Sequence, residues 1–185
     1  MKIHFQEDLR NNLDNFLATQ KNKFPQEDTL KIDLHCHDYN SDVPDELIGR
    51  ILRVPETWLS SERLITELEK NGCSALTITN HNNARSCYIQ QDKGIDVLTA
   101  AEFSCWVPDF EIGIHVLTYG FTPEQEVKLN ALRKNVYQFQ QYTRENNIPT
   151  VWAHPLYHYS VKKMPPKDFF DKMLLIFQRC SYRKS

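Results

Sequence analysis

The stretch KIDLHCHDYNSD, residues 31–42, decides how the rest of the chain is read. Its first half continues an apolar run from Thr29 and predicts a buried strand over 29–34. Two imidazoles and two carboxylates follow at once: His35, His37, Asp38 and Asp42. Alternate residues of an extended segment point to one side, so His35 and His37 can converge on one cation while Cys36 turns away. A His-x-His pair alone is a weak motif, equally satisfied by polar residues at a solvent boundary. Asp38 reads as a loop residue and Asp42 as a turn or helix-capping residue.

Further along, SALTIT (74–79) predicts a second strand that runs into Asn80-His81. IDVLTAA (95–101) predicts a third, followed by Glu102, and IGIHVLTY (112–119) a fourth, with His115 inside it. Residues 149–153 predict a fifth, ending on His154-Pro155. Helical spacing is seen over 5–20, briefly between Pro44 and Pro55, after a Ser60 cap to Asn71-Gly72, and over 166–177. A single helix is predicted from the Thr122-Pro123-Glu124-Gln125 capping signal to about Asn146. This order of elements predicts an α/β protein with a largely parallel sheet.

Five of the seven histidines follow or lie in predicted strands. Strand ends are where α/β folds collect functional groups. Glu102, directly after an apolar run, is costly to bury unless paired or bound to a cation, and a carboxylate can bridge two cations. His115 alone reads as a satisfied core histidine, and His154 is aimed by the proline after it. Taken as a set, nitrogen and oxygen ligands without thiolate suit zinc, manganese or iron. Arg85, four residues past His81, is a candidate phosphate contact, although a solvated arginine is the simpler reading.

The bulk composition excludes several classes. The chain has 185 residues and a net charge of -2, with no basic excess to drive nucleic-acid binding. Its five cysteines form no CxxC pair, and its five glycines build no phosphate loop. No apolar run approaches the roughly 20 residues of a membrane span. A polar N-terminus and unpaired cysteines suit a cytoplasmic protein.

With these residues placed, the sequence resembles the PHP (polymerase and histidinol phosphatase) family. The matching stretches are DLHCHDYNSD, LTITNHNN, AAEFSC, GIHVLTYGF and TVWAHP, in family order over residues 31–155. The resemblance implies a distorted TIM-like barrel of seven strands and seven helices, with up to three metal ions, that hydrolyses phosphate esters. It implies that His35 and His37 hold a first metal and that Glu102 bridges it to a second, held by His115 and His154. Asp42 and His81 would hold a third. Glu102 and His81 are the residues implied to take part in catalysis.

Two departures stand out. Asn80 occupies a position the family fills with Asp, and no late Asp-x-His follows His154. The expectation is therefore an incomplete barrel of about five strands, the chain being a fragment, a frameshifted product or a short natural form. Expected boundaries are an N-terminal helix and linker (1–28), a partial metallohydrolase domain (29–178) and a polar tail (179–185). An incomplete barrel has open sheet edges, so self-association or a missing fused domain is expected. The expected activity is hydrolysis of a phosphorylated small molecule or nucleotide by metal-activated water. The alternatives are an inactive module with a structural or regulatory metal, and a metal-dependent hydrolase of another bond.

Overall fold

The computed structural model describes residues 11–12, 14–19, 29–41, 57–156 and 165–178. The chain divides into two compact units, Met1–Lys31 and Ile32–Ser185. In the first, residues 11–12 and 14–19 are helical, within the predicted 5–20 segment. The expected short helix between Pro44 and Pro55 and the tail 179–185 lie outside the described residues.

The second unit begins where Ile32 makes a single parallel bridge to Ala75, so the predicted strand over 29–34 shrinks to one pairing. Helix α1 (Ser61–Lys70) starts where predicted, because the Ser60 hydroxyl accepts from the Arg63 N–H. Its buried face is Leu64, Ile65 and Leu68. Gly72 ends it at φ +75°, a conformation that favours glycine, and the Cys73 N–H returns to the Leu68 carbonyl. Strand β1 (Leu76–Thr77) pairs in parallel with β2 (Val97–Leu98), and α2 (Arg85–Asp92) lies between them in sequence.

The larger sheet is antiparallel, which corrects the expectation of a largely parallel one. Strands β3 (Ala100–Val107), β4 (Ile112–Tyr119) and β5 (Thr150–Trp152) lie in the order β3-β4-β5, and both pairings are antiparallel. The sequence reading ended the third strand at Ala101 and began the fourth at Ile112. In fact the predicted 95–101 strand divides between β2 and the start of β3, β3 runs on to Val107, and only residues 108–111 join β3 to β4. A parallel pair needs a crossover of roughly a dozen residues or more, so this link can only be a hairpin. The described strands thus form two sheets of two and three strands and close no barrel.

Thr122 completes its capping box on α3 (Pro123–Leu132). The helix predicted to reach Asn146 breaks, however, because Asn135 caps a new helix, α4 (Val136–Glu145). Its side-chain oxygen accepts from the Tyr137 and Gln138 N–H groups, offering the backbone an alternative to continuing. Helix α5 (Lys167–Gln178) ends the described chain, and no described helix is long and apolar enough to cross a membrane.

Period-two alternation gives β3 and β4 two different faces. Phe103, Cys105 and Val107 pair with Val116, Ile114 and Ile112, and this side joins the main core with Phe121, Leu129, Phe139 and Phe169. The Phe103 ring lies 5.4 Å from Phe139 and 5.7 Å from Phe121. Glu102, Ser104, His115 and Leu117 take the opposite face.

Candidate metal centre

Glu102 pairs with Leu117 and Ser104 with His115, so Glu102 and His115 are diagonal neighbours on one face of the sheet. Three other segments bring imidazoles to the same carboxylate. On Oε2, His35 Nε2 and His37 Nε2 each lie at 3.0 Å and His81 Nδ1 at 3.6 Å. On Oε1, His154 Nε2 lies at 2.8 Å and His115 Nδ1 at 3.1 Å. The rings also meet each other, with His35 Nε2 and His37 Nε2 3.0 Å apart.

Two sets of three donors have their ligand atoms within 4.8 Å of one another: His35, Glu102 and His154, and His37, His81 and Glu102. Nearest-oxygen distances divide the histidines differently, into His35, His37 and His81 against His115 and His154. The second division is the one a bridging carboxylate imposes, because each of its oxygens can serve a different cation. The cluster can hold a metal ion, and its all-nitrogen-and-oxygen donor set fits a borderline divalent metal.

Each segment is held by specific bonds. The Cys36 N–H donates to Thr79 Oγ1 at 3.0 Å, and the Thr79 N–H and hydroxyl donate back to the Cys36 carbonyl. The Cys36 thiol donates to the Thr77 carbonyl, and burial, reinforced by the Asp33 charge, pushes it up to about 12. It stays a thiol and faces away from the cluster, which leaves His35 and His37 on the other side. His81 is set beside Glu102 by a one-residue parallel bridge: Glu102 N–H donates to the Asn80 carbonyl, and Asn82 N–H to that of Glu102. Asn82 then adopts φ 57°, tolerable for asparagine, and its side chain accepts from the Ser104 N–H. His154 has φ 29°, so the chain turns sharply as it leaves β5 and the imidazole reaches Glu102.

Glu102 is 1% exposed. Burial opposes its ionisation, but hydrogen bonds from His115, His154, His35 and His37 overcome that and hold its carboxyl well below the usual carboxylate range. A carboxyl depressed in the folded state stabilises the fold above its unfolded value, about 4.3 for glutamate. That contribution is lost as pH falls below it. Metal-free protein should therefore lose stability below about pH 4.3 more steeply than Glu102→Gln, measured by urea unfolding at fixed ionic strength. Parallel pH profiles for the two proteins would rule the linkage out.

The structure brings together His35, His37, His81, Glu102, His115 and His154. Asp42 lies outside the described residues. Arg85 opens α2 as an exposed residue, its N–H donating to Asn83.

Sequence reasoning missed Asp38, Ser41 and the part played by Asn80. Asp38 is a loop residue, as read, but it is fully buried, and its carboxylate is bonded to the Asn80 amide. Ser41 Oγ accepts from the His81 N–H and lies 3.3 Å from His37 Nδ1. Asn80, read as a departure from the family's Asp, and Asp38, read as a loop residue, form one contact.

No family model matches the chain, and no curated protein does. Among solved structures it is similar to a proposed metal-dependent phosphoesterase from Bifidobacterium adolescentis, with 18% identity and a TM-score of 0.38. The match covers 56% of this chain and 32% of that one, so this chain spans about a third of that neighbour's length. It is also similar to an amidohydrolase from Chromobacterium violaceum, with 14% identity and a TM-score of 0.46, over 80% of this chain and 73% of that one. At these scores neither neighbour defines the fold or activity here, which rest on the chain's own residues.

Proposed function

We propose that this chain is a metal-dependent phosphoesterase of PHP type, with His35, His37, His81, Glu102, His115 and His154 as ligands. One observation carries the reading: a single buried carboxylate presents its two oxygens to two different groups of imidazoles. A buried carboxylate among five histidines is expensive to assemble for stability alone, and the arrangement suits bridging of two cations.

Divalent metal held by these residues supplies Lewis acidity toward phosphoryl oxygens and lowers the pKa of water toward neutrality. Glu102 stays ionised and fixed, so no reorganisation is needed when charge develops on the phosphate. The side chains of His35 and His154 are each 34% exposed, against 1% for His115 and 3% for His81. Substrate therefore approaches from the His35–His154 side, a phosphate ester meeting these two rings first. Asp42 is proposed as a further ligand and Arg85 as a phosphate contact. No serine or cysteine nucleophile is required, and Cys36 is held as a thiol.

The test is direct. Purified chain loaded with manganese or zinc should retain metal after dialysis and hydrolyse a phosphomonoester or a phosphodiester. His35→Ala should lose more than the roughly 10–100-fold that follows loss of an outer-sphere partner. Unchanged turnover in that variant would sink the site. Retained metal without turnover on either ester would favour a non-catalytic metal-binding module.

A further inference from the structure

We propose that Asp38 is the positioning residue of this centre: its buried carboxylate locks the loop of His37 to the loop of His81 and so sets the approach of their imidazoles. The inference rests on the metal-centre reading above. Asp38 directly follows His37, and Asn80 directly precedes His81. The Asn80 side chain and Asp38, through its side chain and backbone N–H, close a ring of two hydrogen bonds. The Asn80 amide donates to Asp38 Oδ1 at 2.7 Å, and the Asp38 N–H donates to Asn80 Oδ1 at 2.9 Å.

The carboxylate takes three further donors from elsewhere in the fold. Oδ1 accepts from the Asn40 N–H at 2.9 Å and from the Ser86 hydroxyl of α2 at 3.0 Å. Oδ2 accepts from the Ser61 hydroxyl at the start of α1. Asp38 is 0% exposed, so its carboxylate depends on these donors, and the Asn80 amide also donates to Ser86 Oγ at 3.1 Å. All are donors, which only an acceptor-only group can satisfy together. The consequence for the centre is short-range: the His37 and His81 rings stand 4.9 Å apart, joined through Asp38–Asn80 on one side and Ser41 on the other.

The test uses Asp38→Asn, Asn80→Asp and the double exchange. Either single change breaks the match, the first by setting an amide against donors, the second by setting two carboxylates face to face. Each should weaken cobalt(II) binding by roughly 10–100-fold and alter the cobalt absorption spectrum. Each should also shift the His37 and His81 ring-proton resonances of the metal-free protein. In the double exchange the new amide at position 38 can donate to the new carboxylate and to Ser86 while its carbonyl still accepts from Ser61. The Asn40 bond is lost and the bond between position 80 and Ser86 reverses, with the Ser86 hydroxyl as donor, so affinity should return to within about fivefold of wild type, the worth of one hydrogen bond.

A purely structural role would lower the melting temperature of Asp38→Asn while leaving the cobalt spectrum, affinity and histidine resonances as they were, and would overturn the proposal. If Asp38→Asn does not fold, the double exchange decides: recovery supports the proposal, and no recovery defeats it. Wild-type protein that takes up no cobalt would defeat the metal reading, while the metal-free resonances would still judge Asp38.

Discussion

Glu102→Gln is expected to cut metal-dependent hydrolysis at least about 1,000-fold, well beyond the roughly 10–100-fold cost of losing an outer-sphere partner. Glutamine keeps the volume but turns one oxygen into a donor. Whichever way the amide faces, one group of histidines loses its acceptor: His35 and His37 at 3.0 Å, or His154 at 2.8 Å and His115 at 3.1 Å. The amide nitrogen cannot ligate a cation, so the bridge between the two groups is lost with it. The loss should therefore exceed that of His35→Ala, which removes a single ligand from one side. Steady-state kinetics with metal content measured in parallel, and near-ultraviolet circular dichroism to verify folding, would check this. A Glu102→Gln protein with full metal content and full turnover would remove the carboxylate from the site.

The second large effect is on stability. Manganese or zinc present at about 100 times its dissociation constant should stabilise the fold by about 2.7 kcal/mol. For a chain of this size that is a rise of roughly 5–10 °C in melting temperature, reversed by chelation. The gain should shrink as pH falls, because protons compete with metal for imidazole nitrogens. Glu102 will not drive that loss near neutral pH, since its carboxyl is held well below the usual range. Differential scanning calorimetry with and without chelator, at two pH values, measures both. A melting temperature indifferent to metal would mean that the histidines serve the fold through Glu102 alone.

Much of the site is legible in the sequence. His35 and His37 fall on one side because Cys36 between them is bound inward, and the alternation of His-x-His announces it. Strand β4 runs over Ile112–Tyr119 as its unbroken apolar pattern predicts, with His115 inside. The Ser60 and Thr122 caps are local chemistry and are read correctly from a few residues. Less legible are β3 and the α3–α4 break. Glu102 looks like the polar end of a strand, yet β3 runs five residues past it because its carboxylate is accommodated by imidazoles from distant segments. Asn135 looks like a helix surface residue, yet its side chain takes over the backbone donors of a new helix.

The sequence by itself singled out the histidines that meet at Glu102, since side-chain type and period-two placement are local properties of each segment. It determined the starts of α1 and α3 for the same reason. The direction of the strands around Glu102 was decided only by the tertiary structure, because pairing depends on where a strand ends, and β3 ends where neighbours allow. The meeting of Asp38 with Asn80 was decided there too. They stand 42 residues apart, and no periodicity within either segment encodes that a buried carboxylate in one will find its donors in the other.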